Sequence, residues 1–478
     1  MKSSIVVSNF IWRFLERIGA QLVSFIVSII LARILIPEDY GTVALVYVFI
    51  AIFDIFVNAG LGSALIQKKD ADDTDFSTVF FANICFCIVL YLICFVSAPV
   101  ISHFYSKPEL TPMLRICGIM LIISGVKNVQ TAFVSKTMQF KRFFFATLGG
   151  TLFSAIVGIV MANRGYGAWA LIVQNLTNNA IDTIILWISV KWRPKLLFSV
   201  NRLKGLFAFG WKMLATAVIN TIYNKLRTLI IGRVYTSEDL AFFNRGNHWP
   251  NLIVENANTA FDSVLFPSLS NIQDDIDQVR RMTRRAIKVS SYVIMPLMVG
   301  LAACAEPVVS IVLTDKWLPS VHFMRVFCFT YALYPIHTAN INAIKAMGRS
   351  DIMLKLEIIK KIIGIIAVLV TMFISVQAMA LSLLFISISE LFINSWPNKR
   401  LLKYAFGDQI KDLLPQILLA FFMGGSVYCV SFLGLKDILT LVIQVPLGIL
   451  VYVGGSVLFR IDSFCFCKET VLSLLKKR

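Results

Sequence analysis

Apolar runs of roughly 20 residues recur from one end of the chain to the other, each long enough to cross the hydrocarbon of a bilayer as a helix. Polar residues gather in the short intervals between them. On that criterion the chain reads as an all-α integral membrane protein with about fourteen spans. In the first half they fall near residues 11–34, 40–64, 77–102, 110–134, 143–162 and 166–190. In the second half they fall near 205–233, 238–265, 287–311, 319–344, 353–374 and 377–396, with two more near 412–432 and 437–459. The two series of six are related. WRFLERIGAQLVSFIVSIILARILIPEDYG at 12–41 is echoed by WKMLATAVINTIYNKLRTLIIGRVYTSEDLA at 211–241, so that Arg33, Glu38 and Asp39 fall on Arg233, Glu238 and Asp239. Further along, Asn58, Ser63 and Leu65 recur as Asn258, Ser263 and Leu265, Pro99 as Pro307, and Lys136 and Met138 as Lys345 and Met347. An ordered series at nearly constant offset marks an internal repeat.

The expected organisation follows: an N-lobe over 1–190 (six spans), a linker over 191–204, a C-lobe over 205–397 (six spans), and a segment over 398–478 holding two further helices and a basic tail. Six spans per repeat is an even number, so both repeats insert with the same orientation and are parallel.

Composition sharpens this. Of 478 residues 58% are hydrophobic and 15% charged, against about a quarter charged in soluble domains. In a soluble protein the net charge of +18 would point to nucleic acid. Here the basic residues sit in alternate short connections, such as Lys68 and Lys69, then Lys136, Lys141 and Arg142, then Lys191 through Lys204, then Arg280 through Lys288. The later groups are Lys345, Arg349, Lys355, Lys360 and Lys361, then Lys399, Arg400 and Lys403. That alternation is the positive-inside signal and places both termini in the cytoplasm. No nucleic-acid partner is expected. The first residues lack the order of a cleaved signal peptide, so the first span is expected to be retained. Nine scattered cysteines and four histidines match no ligand spacing, and no phosphate-binding glycine loop or nucleophile–base set is apparent. No metal, cofactor or catalytic residue is therefore expected, and the chain is not read as an enzyme.

Candidate chemistry lies in polar stripes within the spans. Arg13, Arg17, Gln21, Ser24 and Ser28 share one face of the first helix, bordered by Glu16. Lys212, Thr216, Asn220, Tyr223 and Arg227 do the same in the seventh. Asn244, His248, Asn251, Glu255, Asn258 and Asp262 line the eighth; Asp54 and Asn58 mark the second, Gln174, Asn178 and Asp182 the sixth. Ionisable side chains facing lipid are costly, so these stripes are expected to face protein or water. Interhelical hydrogen bonding accounts for single amides, and snorkelling is an alternative for Arg13. The cationic stripe recurring in both repeats favours a wet cavity. The Glu38–Asp39 and Glu238–Asp239 corners read as helix starts, 67–75 (QKKDADDTD) as a solvated loop, and Arg280 to Lys288 as an interfacial helix touching anionic lipid or a positive-inside anchor.

The opening motif, with GLGSALIQKKDADDTDFSTVF after it and KWLPSVHFMRVFC and KAMGRSDIMLKLEIIKK in the second half, resembles bacterial polysaccharide flippases of the Wzx type, especially the WzxC-like branch. The resemblance implies two six-helix lobes around a central cavity and alternating access. It implies an undecaprenyl-pyrophosphate-linked oligosaccharide as cargo, a repeat unit of capsule, O-antigen or exopolysaccharide. Membrane lipids and the polymerase machinery are the other partners it implies. The cavity residues expected to meet the cargo are Arg13, Arg17, Gln21, Lys212, Asn220, Arg227, His248, Asn251 and Glu255; Asp54, Glu255 and Asp262 are candidates for ion coupling. Cations suit a diphosphate and amides suit sugar hydroxyls. A multidrug (MATE-like) cation antiporter is the alternative, favoured by Asp54, Glu255 and Asp262. A membrane-bound glycan polymerase or ligase is the rival from another class.

Overall fold

A computed structural model describes the backbone of residues 3–58 and 61–476. Among them there is no strand, as an apolar chain in lipid requires: a helix satisfies every backbone group within itself. Contacts divide the chain into two compact units, residues 1–241 and 242–478.

The first unit opens with α1 (Ser3–Ile34), α2 (Pro37–Asn58), the short α3 (Leu61–Gln67), α4 (Asp73–Tyr105), α5 (Leu110–Cys117) and α6 (Ile119–Lys136). It continues with α7 (Lys141–Asn163), α8 (Ala168–Ser189) and α9 (Val200–Val234), and takes in the start of α10 (Ser237–Ser270). The second unit holds the rest of α10, then α11 (Ile276–Ala303), α12 (Ala305–Leu313), α13 (Ser320–Ala332), α14 (Tyr334–Ala346) and α15 (Ser350–Thr371). It ends with α16 (Val376–Leu401), α17 (Phe406–Cys429), α18 (Asp437–Leu458) and α19 (Asp462–Lys476). The expected fourth span is broken at Gly118, the expected tenth at Leu333 just before Pro335, where a missing N–H ends the helical ladder.

Among the described residues nine stretches are long and apolar enough to cross a membrane: those of α1, α2, α4, α5–α6, α7, α11, α16, α17 and α18. The other expected spans correspond to α8, α9, α10, the α13–α14 pair and α15. α8 and α15 have 22 residues each, about 33 Å of helix, so length is not what sets them apart. Their polar and charged positions do.

The repeated corner is visible as backbone chemistry. α1 ends at Ile34 and α2 starts at Pro37; α9 ends at Val234 and α10 starts at Ser237. In the first, Asp39 accepts from the N–H of Ile36 at 3.3 Å; in the second, Asp239 accepts from the N–H of Thr236 at 3.3 Å. Each acid thus occupies a helix N-terminus, where free N–H groups and the macrodipole favour it.

The stretch 67–75, expected as a solvated loop, is instead a built joint. Asp72 and Asp75 form a reciprocal capping box at the start of α4, which satisfies two orphan donors. Asp75 is fully buried and receives Lys68 at 2.7 Å, since a buried carboxylate needs a partner. The connection after α8 clasps the same turn: Lys195 pairs with Asp73 at 2.6 Å, Trp192 Nε1 donates to Asp73 at 3.1 Å, and Arg202 reaches Asp72 and Asp75. The N–H groups of Lys195 and Ser199 donate to Ser77 and Thr78. The Arg202 hydrogen bond and the Asp75 N–H hold Asp72 well below the usual carboxylate range. The residues expected to form a linker are therefore fastened along α4, with an aromatic cluster of Phe76, Phe80, Phe133 and Trp192 beneath them.

The basic run Arg280–Lys288 is also more than an interfacial helix. It forms early turns of α11, with Arg284 on Asp412 of α17, Lys288 on Asp462 at 2.7 Å, and Arg285 stacked over Phe466 at 3.7 Å.

Candidate functional site

Within the first unit α2, α3, α6 and α8 enclose a polar cavity of about 460 Å³, lined by Asp54, Ser124, Lys127, Asn128, Thr131 and Asn179 among others. Its construction begins with α7. Gly150 and Gly158 leave no room for a Cβ, because Asn178 and Gln174 of α8 lie directly against them; small residues let helices approach this closely. Gln174 and Asn178 are thereby spent on packing. Asp182, on the same face, also sets its Cβ against Gly150, but its carboxylate meets α6; Asn179, a step round the helix, lines the cavity. Lys127 donates to the Asp182 carboxylate, with side-chain exposures of 29% and 11%. Asn179 Nδ2 rests on Asn175, 3.0 Å from its carbonyl and 3.1 Å from its Oδ1. Asn128 Nδ2 donates across the cavity to the carbonyl of Val57 at 3.0 Å, one of the acceptors left open where α2 ends.

One carboxylate, one ammonium, and several amides and hydroxyls thus line one space, with Asp182 paired to the ammonium beside it. Such a lining offers donors and acceptors in both directions, as a hydroxylated solute requires. Placing charge there is costly unless it is used or paired.

The residues singled out from the sequence fall in different places. The side chains of Arg13 and Lys212 lie outside the described residues. On α1, Arg17 is exposed and Gln21 half-buried; beside them Glu16 accepts from Thr147 at 3.2 Å. On α9, Asn220 is exposed, whereas Arg227 is buried. On α10, His248 is exposed, and Asn251 Nδ2 donates to the exposed Glu255 at 3.2 Å. Asp262 accepts from Asn342 of α14 at 2.5 Å. Of the candidates for ion coupling, Asp54 alone lines the cavity. Glu255 and Asp262 belong to α10 and are seven residues apart.

Lys127, Asn128 and Asn179 were not singled out from the sequence. The available signal was a lysine in mid-span at 127, flanked by Asn128 and Gln130, in a stretch otherwise fit to cross a membrane. A second omission lies in the other unit. Lys360, counted among loop cations, is 8% exposed well inside α15 and donates to Glu357 one turn earlier; burial obliges a lysine to find a partner. Nearby, His337 contacts Ser387 at 3.1 Å, while Asn340 joins Gln409 at 2.9 Å and Asn398 at 2.7 Å. Among the described residues no three histidine, cysteine or acidic side chains converge as metal ligands.

The helix order is shared with known transporters. The lipid II flippase MurJ, in an inward closed conformation, superposes with a TM-score of 0.72 over 96% of this chain and 99% of that one, at 16% identity. An inward-facing MATE-family multidrug resistance transporter of the MOP superfamily superposes at 0.62 over 82% and 96%, at 14% identity. At such identities the likeness is one of fold. In sequence, the chain is 24% identical over 312 residues to the succinoglycan biosynthesis transport protein ExoT of Rhizobium meliloti (strain 1021), covering 65% of this chain. It is 25% identical over 304 residues to the teichuronic acid biosynthesis protein TuaB of Bacillus subtilis (strain 168), covering 62%. The matched parts span 63% and 62% of those two relatives, just under two thirds of each. The lipopolysaccharide biosynthesis protein WzxC of Escherichia coli (strain K12) is 23% identical over 71% of this chain and 70% of its own length. The family model described as polysaccharide biosynthesis protein matches residues 30–322. That match takes in α2 to α8, with every helix that lines the polar cavity, and spans more than half of the sequence: this chain belongs to the polysaccharide biosynthesis protein family.

Proposed function

We propose that the protein moves an oligosaccharide linked to a polyprenyl diphosphate from the cytoplasmic to the outer leaflet of a bacterial inner membrane, by alternating access, with both termini cytoplasmic. No bond is made or broken; the protein is a transporter, not an enzyme. The observation that carries this reading is the polar cavity of the first unit, where Asp54, Lys127 and Asn128, on helices otherwise suited to lipid, meet Asn179. Its amides, hydroxyls and the Asp54 carboxylate match sugar hydroxyls. Arg17 and Arg227, with Arg13 and Lys212, are assigned to the diphosphate, for which fixed cations are the natural partners. The excess of acid around Lys127 supports a second reading, in which a cation exchanges for cargo through Asp54.

The cargo head is an anion leaving a negative interior, so its movement runs down the electrical gradient by about 2.3 kcal/mol per charge per 100 mV. Two experiments test the proposal. A strain lacking the protein should accumulate the lipid-linked unit on the cytoplasmic leaflet; accumulation in the outer leaflet would indicate a later, polymerising step and overturn it. In proteoliposomes, a potassium–valinomycin potential should accelerate flipping with pH and sodium equal on both sides. A response to a proton or sodium gradient alone would transfer the driving role to Asp54.

A further inference from the structure

The connection between α8 and α9, together with the first turn of α9, reads KWRPKLLFSVNRLK over 191–204, with five basic residues, no acid, and an apolar centre. It stays extended to residue 199 because its backbone is committed to α4: the Lys195 and Ser199 N–H groups bond Ser77 and Thr78 at 3.0 and 3.1 Å. This fastening turns Leu196, Leu197 and Phe198 outward, at 95%, 41% and 55% exposure. They lean beside α4 and wall a groove of about 640 Å³ whose lining includes Phe81, Phe86, Val89, Leu196, Phe198 and Leu203. That volume lies within the range of sites that bury small ligands. Bare apolar surface on one side of a connection, held rigidly rather than folded away, calls for an apolar occupant.

Charge identifies the head of that occupant. Lys195 and Lys204 flank the apolar segment and are exposed, and Arg202 lies beside Leu203. On the other flank of this first turn of α9, a second cavity of about 450 Å³ is lined by Gln67, Lys68, Arg202, Gly205 and Leu206. The cations Lys68, Lys195 and Arg202 are held by Asp72, Asp73 and the buried Asp75; a phosphate could share the exposed pairs, Lys195–Asp73 and Arg202–Asp72, at little cost.

We propose that this groove binds an anionic glycerophospholipid, with an acyl chain against α4 and the phosphate among Lys195, Arg202 and Lys204. The lipid steadies the connection and competes with the aspartates for its cations. The site is independent of what the protein transports, and binding is measured without transport.

The full-length protein is purified and presented with phosphatidylglycerol, phosphatidylcholine or polyprenyl phosphate, and retained lipid is counted by native mass spectrometry. Phosphatidylglycerol should be retained in preference to phosphatidylcholine. Lys195→Gln with Lys204→Gln should weaken retention about 30-fold, at about a factor of five per basic residue near a charged lipid surface. Cys85 is an exposed residue on the groove wall, and Cys85→Trp should fill the groove and displace the lipid while leaving all cations in place. Equal retention of the two phospholipids, or undiminished retention in both variants, would overturn the proposal. Displacement of phosphatidylglycerol by equimolar polyprenyl phosphate would also overturn it, reassigning the groove to the cargo lipid.

Discussion

Replacing Lys127 by Met tests whether the cavity of the first unit is built around its ion pair. Asp182 has only 11% of its side chain exposed, and Lys127 is its cation. Removing one partner of a buried pair costs about 3–5 kcal/mol, because the other charge stays buried alone. Lys127 keeps 29% exposure towards the cavity, so the pair is partly hydrated and about 3 kcal/mol is expected. Asp182→Asn strands the better-hydrated lysine and should cost less, about 2 kcal/mol. The double variant removes both charges and should cost about 1 kcal/mol or less, since an uncharged pair of similar volume is often neutral. The resulting double-mutant cycle would show a coupling of several kcal/mol, large for neighbouring residues. Unfolding of the purified protein in detergent measures the cycle, and glycan export in a deletion strain measures function. The expected combination is recovered stability without recovered export in the double variant. A cost below about 1 kcal/mol for Lys127→Met would mean the pair behaves as a surface contact. Wild-type export by the double variant would show that both charges serve folding alone.

Three further outcomes are expected. A Cβ at Gly41 would collide with the carbonyl of Ser237, so Gly41→Ala should cost about 1–3 kcal/mol by overpacking; an unchanged melting temperature would refute the tight corner. Arg17→Ala and Arg227→Ala should each abolish glycan export with normal protein level in the membrane; export surviving both would remove the cationic site, and loss of the Arg227→Ala protein would mark that buried residue as structural. Because Arg202 depresses Asp72, the Asp72 contribution is complete above about pH 4, the unfolded value, and fades as pH falls through its lower folded value. Asp72→Asn should therefore destabilise at pH 7 and converge with the parent in strong acid; a constant difference between pH 7 and pH 2 would contradict this.

The helices were legible because lipid imposes a length and an apolar period that ordinary sequence carries openly. The repeated corner was legible because it is chemical: Asp39 and Asp239 accept from backbone N–H groups three residues earlier, so the acid and its spacing are constrained together. What stayed hidden depended on partners distant in sequence. QKKDADDTD is rich in charge and looks solvated, yet Asp75 is buried because Lys68 and Arg202, seven and 127 residues away, converge on it. Composition reports that charges exist; only the fold reports that they meet.

The same distinction governs the site. Periodicity placed Gln174, Asn178 and Asp182 on one face of α8, and that face does meet protein. It could not tell packing from lining, because the choice rests on Gly150 and Gly158 of α7, which draw Asn178 and Gln174 into contact. Asn179 then turns towards α6 and meets the cavity. A stripe of amides in a membrane helix is thus divided by its neighbours: residues facing small side chains become adhesive, and those a step further round are left for solute. Lys127 escaped notice for the opposite reason, as one cation in an apolar span carries no period. A lone charge at mid-span calls for a partner in the fold, and its cost in lipid makes it informative without any repeating pattern.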